Sequence, residues 1–340
     1  MNKTIYEENL KNKEITDCVA IDRNTIAFAI KAYQTVENDT ENSISENRTT
    51  SILIYAPNLI DDNDGFAKTI EYFKGIDQFK ITYNNKLIVV STSDFRVEEK
   101  EDNTLVSVIP DDFYMREITS VCTIDDTTYA LGLFHKVYMR KKLHDWIDIT
   151  DPNKHPNLFL DLQRRRKTKG NIGGANASFH ILDGFSNKDI YAGGDNGDCW
   201  HYDGKKWTMI DLPTNFNIRA ITCAEDGYVY IAGHHALGIL KGRGNNWELI
   251  CKSKDSLNIN AMAWFKGHLY LSDDDTLYIL DNSKICIFKF PKVGPQQHSF
   301  AKVTASEDIL VAYGGTQALM FDGVKCKEII GIPEIDQSEL

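Results

Sequence analysis

No stretch of apolar residues in this 340-residue chain is long enough to span a membrane or to form the core of an export signal, and the opening MNKTIYEENLKNKEITD is polar throughout. No membrane segment and a cytoplasmic location are therefore expected. Paired cysteines are also missing: Cys18, Cys122, Cys199, Cys223, Cys251, Cys286 and Cys326 form no CxxC and no metal-ligand spacing, which leaves reduced, buried thiols as the expectation. Positive charge is in deficit, with 38 Lys and Arg against 49 Asp and Glu and a formal charge of −11. Such an exterior repels a phosphate backbone, so general nucleic-acid binding is excluded and a basic partner is the natural expectation. No GxSxG elbow, HExxH pair or P-loop occurs. The nearest phosphate-like loop, Gly170-Asn171-Ile172-Gly173-Gly174, has no Lys-Ser/Thr pair behind it and reads as a hinge. No catalytic residue and no cofactor can be assigned.

What the chain does have is a repeat. A unit of roughly forty residues recurs as FHILDGFSNKDIYAGGDNGDCWHYDGKKWTMIDLP, IRAITCAEDGYVYIAGHHALGILKGRGNNWELICK, INAMAWFKGHLYLSDDDTLYILDNSKICIFKFPK and FAKVTASEDILVAYGGTQALMFDGVKCKEIIGIPE. Each copy holds four short strands: FHILDG innermost, DIYAGG second, CWHYDG third and WTMIDL outermost, with Gly, Asp, Asn or Lys turns between them. A strand-built unit of this length is a β-propeller blade, which buries its faces only by stacking on neighbours. Weaker copies at 118–151, at 79–111 and at the N-terminus bring the reading to an all-β, seven-bladed propeller occupying residues 1–340 as one domain, with six and eight blades also compatible. The segment Lys3 to Tyr6 is placed as a strand closing the last blade. On this frame Trp146, Trp207 and Trp247 share one position at the start of the fourth strand, where a ring packs between blades. Gly184, Ala263, Ala305, Cys122 and Cys223, with Cys18 one residue away, share a first-strand position that admits only small side chains.

DIYAGGDNGDCWHYDGKKW resembles the repeats of bacterial propellers of the form D-(I/V)-Y-A-x-G-x-x-G followed by Y-D-G-x-x-W, a pattern distantly like the kelch and BNR repeats. The match rests on Asp189, Tyr191, Ala192, Gly194, Gly197, Tyr202, Asp203, Gly204 and Trp207, and the following repeat keeps Tyr230, Ala232, Gly233 and Trp247. The resemblance implies the fold and leaves function open, since propellers serve unrelated purposes. A sialidase is excluded: the Asp-box S-x-D-x-G-x-x-W requires a residue between Asp and Gly, and Asp203 and Gly204 are adjacent. WD-repeat and kelch signatures are not sustained from blade to blade.

Two insertions interrupt the rhythm. Residues 34–48, QTVENDTENSISENR, read as a polar loop, and residues 152–177 carry the basic run Arg164, Arg165, Arg166, Lys167 and Lys169 in an acidic protein. In a propeller the link from the fourth strand to the next blade lies on the same face as the turn between strands two and three. The second insertion is therefore expected on one face with Ser93, Asp94, Phe134, His135, Asp195, Asn196, His234, His235, Asp273, Asp274, Asp275, Gln296, Gln297, His298, Thr316 and Gln317. Loops on a rigid scaffold are where recognition resides. The expected partner-binding residues are the basic run together with Asp195, Asn196, His234, His235, Asp273, Asp274, Asp275, Gln297 and His298. No metal is assigned; had a cation site existed, His235, Asp274 and His298 would supply it.

A large rigid platform without a catalytic constellation points to a non-enzymatic protein that binds a protein partner. The specific form expected is a bacterial cytoplasmic immunity protein neutralising a toxin, with acidic loops masking a basic catalytic cleft. The alternative is a metal-assisted hydrolase or lyase working at the axial mouth. A glycan module with one pocket per blade needs loops repeated from blade to blade, which this chain lacks.

Overall fold

The computed structural model describes residues 10–32, 50–57, 66–72, 79–92, 96–99, 105–109, 118–142, 145–150, 178–253, 256–291 and 299–331. The insertions 34–48 and 152–177, the segment Lys3 to Tyr6, and Ser93, Asp94, Gln296, Gln297 and His298 lie outside them.

The described strands form seven antiparallel sheets, each built around four strands that follow one another along the chain. The fourth sheet has the order read from the repeat: Phe179–Ser186, Asp189–Gly194, Cys199–Tyr202 and Trp207–Ile210. Tyr191 faces His201 in the pairing, and Tyr202 faces Trp207. The fold is an all-β propeller. The first strands of the sheets are Lys13–Asp22, Phe79–Asn84, Ile118–Ile124, Phe179–Ser186, Asn217–Cys223, Ala261–Phe265 and Lys302–Ala305. Each packs against the first strand of the next sheet, and the last packs back on the first, so these strands line the axis of a closed ring.

One hydrophobic cluster fills each seam between neighbouring sheets. Ala29, Ile54, Ile81 and Val89 join the first two sheets, Phe179, Leu182, Trp200 and Trp207 meet Tyr129 and Leu131 across the third seam, and Ile30 and Leu53 meet Val311 and Ile330 where the ring closes. A blade alone would leave these faces wet, and stacking removes them from water. Closure is also hydrogen-bonded: Ile15 N donates to Gly315 O at 2.7 Å, Lys302 Nζ to Thr16 O at 2.9 Å and Lys327 Nζ to Tyr55 OH at 2.6 Å. Among the described residues, the last sheet draws all four strands from Lys302–Ile330.

Trp146, Trp207 and Trp247 open the fourth strands of the third, fourth and fifth sheets and pack into the seam before them. Trp207 stacks at 5.7 Å on Phe179 and donates Nε1–H to Ile149 O of the preceding sheet at 3.1 Å. The small first-strand residues do not share one position: Gly184 and Cys223 pair with Ile190 and Val229, whereas Cys122 and Ala263 pair with Tyr129 and Tyr270, one residue earlier along the strand. Burial pushes the thiols of Cys18, Cys122 and Cys223 well above the ordinary range, with the neighbouring Asp17 adding to the effect at Cys18 and Asp183 at the other two. None of the cysteines is joined in a disulfide.

Candidate binding face

The site is built from two local devices. The first is a β-bulge where the chain enters the innermost strand. The pairing between first and second strands slips at Thr16, Thr119, His180 and Arg219, each left over between two paired neighbours. A bulge re-aims its side chain. Thr16 and Thr119 spend theirs on second-strand carbonyls, Ala29 O and Leu131 O, both at 3.3 Å. His180 and Arg219 instead reach a loop: His180 Nε2 lies 3.1 Å, and Arg219 Nη1 3.0 Å, from Asp195 Oδ1. The bulge brings backbone against the end of the second strand, which explains the glycines of the repeat. A Cβ at Gly233 would overlap Asn217 O, and one at Gly194 would overlap Ser178 O.

The second device is a left-handed residue in the turn between strands two and three. Phe134, His135, Asn196 and His235 have φ between 55° and 65°. Two of these turns are latched by an asparagine: Asn196 N donates to Asn217 Oδ1 of the next sheet at 3.0 Å, and His235 N to Asn258 Oδ1 at 3.1 Å, on the short strand Leu257–Asn258 that pairs with His235's own strand. The third turn is fixed by a buried pair. His135, 3% exposed, donates Nε2–H to Asp198 Oδ2 at 2.5 Å, and Asp198 Oδ1 accepts Trp200 Nε1–H at 2.9 Å. His135 meets Phe179 edge-on at 4.7 Å, and Phe134 N donates to Ser178 Oγ at 3.2 Å. These contacts tie the third and fourth sheets together between Thr150 and Ser178, the described residues flanking the basic insertion.

Electrostatically the patch is mixed. Burial lowers the His180 pKa, Arg219 lowers it further, and Asp195 only partly offsets them, so the imidazole is neutral near pH 7. Further round the ring, His234 Nε2–H donates to Asn260 Oδ1 at 2.7 Å, and Asn260 Nδ2 donates to Asp274 Oδ1 at 2.8 Å. The three aspartates of the next turn divide their work. Asp273 accepts from the backbone of Asp275 and Thr276 and from Tyr278 OH, while Asp275 accepts Ser299 Oγ–H at 2.8 Å.

The structure thus brings Asp195, Asn196, His234, His235, Asp273, Asp274 and Asp275 to the turns of one face, joined across the fourth to seventh sheets by hydrogen bonds. Arg164, Arg165, Arg166, Lys167, Lys169, Gln297 and His298 lie outside the described residues. Among the described residues no three His, Cys, Asp or Glu side chains are grouped to hold a metal ion, a set that includes His235 and Asp274. Sequence reasoning missed Asp198, Trp200, His180 and Arg219. The signal available was a polar residue one or two places into the first strand, as in FHILDG and NIRAIT; the slip of register that exposes it is a property of pairing.

No protein-family model matches the chain. The chain is 32% identical over 203 residues to Immune protein Tsi7 of Pseudomonas aeruginosa, an alignment that covers 60% of this chain and 61% of that protein. The match therefore spans about three fifths of the length of the curated relative. Among solved structures, the WD40 β-propeller domain of Doa1 superposes with a TM-score of 0.59 at 11% identity, covering 95% of this chain and 94% of that one. The β-propeller domain of Myceliophteria thermophila Cps50 (Swd1) gives 0.58 at 10% identity, covering 88% and 93%. At such identities the likeness is one of fold. Among the described residues no helix is long and apolar enough to cross a membrane.

Proposed function

We propose that this protein is a non-enzymatic immunity protein: a propeller that neutralises a toxin by binding it over the face built by the turns between strands two and three. The observation that carries the reading is the 32% identity to Immune protein Tsi7 over 203 residues. The described part of the face supports it, because its turns are held by inter-sheet hydrogen bonds and a rigid platform lowers the entropy cost of association. The formal charge of −11 favours a basic toxin domain and disfavours general nucleic-acid binding. A cytoplasmic location is part of this reading. The chain is read as one domain in which each sheet is a blade, seven in all, with repeats of the D-(I/V)-Y-A-x-G…Y-D-G-x-x-W kind.

Within this reading Asp195, Asn196, His234, His235, Asp273, Asp274 and Asp275 contact the toxin, joined from the sequence by Gln297, His298 and the run Arg164 to Lys169. The test is recovery of the tagged protein from its native host and identification of a stoichiometric partner. That partner, expressed alone, should be toxic, and co-expression of this chain should restore growth. Deleting 163–169 should leave thermal unfolding unchanged and weaken capture; undiminished capture would remove the basic run from the interface. A chain recovered without a protein partner, and unable to rescue cells from any toxin encoded beside it, would overturn the proposal.

A further inference from the structure

The fifth sheet is built differently at the end that carries the candidate binding face. Its second strand, Val229–Ala236, pairs with the third only from Val229 to Ile231, against Gly242, Lys241 and Leu240. Beyond Ile231 the strand runs on and takes a new neighbour, Leu257–Asn258, with His234 opposite Asn258 and Ala236 opposite Leu257. Among the described residues no other sheet has a fifth strand. The extension carries the turn at Leu237 and Gly238, and hydrogen bonds fix its backbone: Ile259 N donates to Gly233 O at 3.0 Å, His235 N to Asn258 Oδ1 at 3.1 Å and Ser253 N to Leu237 O at 2.9 Å. Ala236 is fully buried, and Gly238 sits at φ 157°, where a Cβ would lie 2.8 Å from Cys251 O. Between these two anchored residues Leu237 is left 57% exposed.

A scattered exposed leucine needs no explanation, but this one is presented by a turn that extra pairing, a buried neighbour and a glycine hold in place. Among the described turns between second and third strands, Leu237 is the one exposed large apolar residue. Tyr228 and Val324 stand in turns at the opposite end of their sheets, and Ile287 lies on an outermost strand. Acidic groups flank Leu237. The hydrogen-bond chain from His234 through Asn260 to Asp274 joins its turn to that of the sixth sheet. There Asp274 and Asp275 are exposed and, among the described residues, form no ion pair. An apolar anchor beside such carboxylates fits a protein surface that offers an apolar pocket rimmed by Lys or Arg. Because the turn is already rigid, burying Leu237 against a partner orders little that was free.

We propose that Leu237 is the anchor of the toxin interface, inserted into an apolar pocket of a basic toxin domain whose rim cations meet Asp274 and Asp275. The assignment rests on the immunity reading and names the residue on which capture turns. The probe is the toxin domain recovered with this chain from its host, and association and dissociation rates are measured against the purified full-length chain. Leu237→Asp should bind about 100-fold more weakly and Leu237→Ala about tenfold, with the loss mainly in faster dissociation. Val324→Asp makes the same charge change at an exposed apolar residue of the opposite face, and its affinity should stay within about twofold of wild type. The added carboxylate separates the mechanisms: in a purely electrostatic contact with a basic toxin, Leu237→Asp would speed association and tighten the complex. Thermal unfolding should be unchanged in both aspartate variants, and Leu237→Ala carries the test if Leu237→Asp does not fold. A toxin held by the Leu237 variants as tightly as by wild type, or a loss shared equally by Val324→Asp, would overturn the anchor and leave the immunity reading standing. A wild-type chain that binds no toxin would overturn both.

Discussion

Single side chains at this face do two kinds of work. Asp198 is 3% exposed and serves both His135 Nε2 and Trp200 Nε1, so removing it strands two buried donors. Asp198→Ala is expected to destabilise the fold by about 3 kcal/mol, read as a lower urea midpoint, with the Trp200 fluorescence changing in parallel. Asp183, half-buried on an innermost strand, is a second carboxylate with an unusual environment. Burial raises its pKa to about 6, although Cys223 N and Gly184 N both donate to it at 2.8 Å. The sign follows from the proton count: a carboxyl that holds its proton more tightly when folded stabilises the native state at low pH, and that contribution is lost as pH rises from the unfolded value toward about 6. The stability of the wild type relative to Asp183→Asn should therefore be greatest below pH 4 and decline as pH rises to 6. Urea titrations across that range measure it, and a difference that grows with pH would mean that the two backbone donors outweigh burial.

At the scale of the strand, the motif ending in Ala-Gly or Gly-Gly has a mechanical reason. Where the innermost strand bulges at Arg219, its backbone presses on Gly233, leaving no room for a Cβ beside Asn217 O. Gly233→Ala should cost about 2 kcal/mol or more and shift the Arg219 bulge, seen as loss of amide-exchange protection in the strand Asn217–Cys223. The asparagine latches are milder. Asn217→Ala and Asn258→Ala each leave one turn N–H open to solvent and should cost about 1 kcal/mol, while loosening the partner face. Part of this level was legible beforehand: the Trp146, Trp207, Trp247 position was read from spacing alone, whereas the small first-strand residues were aligned one residue out at Cys122 and Ala263. The bulges were not, because composition records which residues enter a strand, and only pairing records which of them is left over.

For the whole molecule, the ring creates what no blade has. The core is a set of seams, and the candidate binding face is a set of turns contributed by different sheets. If a basic toxin docks there against a net charge of −11, association should slow several-fold as salt rises from about 50 to 300 mM, with dissociation changing less. Stopped-flow mixing would measure both, and a salt-insensitive on-rate would argue for an apolar interface instead. Leu237, 57% exposed beside His235, marks where such apolar contact would begin.

The sequence by itself determined the propeller, because a strand-built repeat with turn residues at fixed offsets has few other ways to bury its faces. It also placed Asp195, His234 and Asp273 to Asp275 on one face, since strand alternation dictates which turns share a side. The tertiary structure decided which of those side chains are spent. Asp273 is consumed in holding its own turn, His135 is buried against an aspartate 63 residues away, and His180 and Arg219 come to Asp195 from the first strands of two neighbouring sheets. These outcomes depend on register and on the packing of sheet against sheet, and neither is a property of any single repeat.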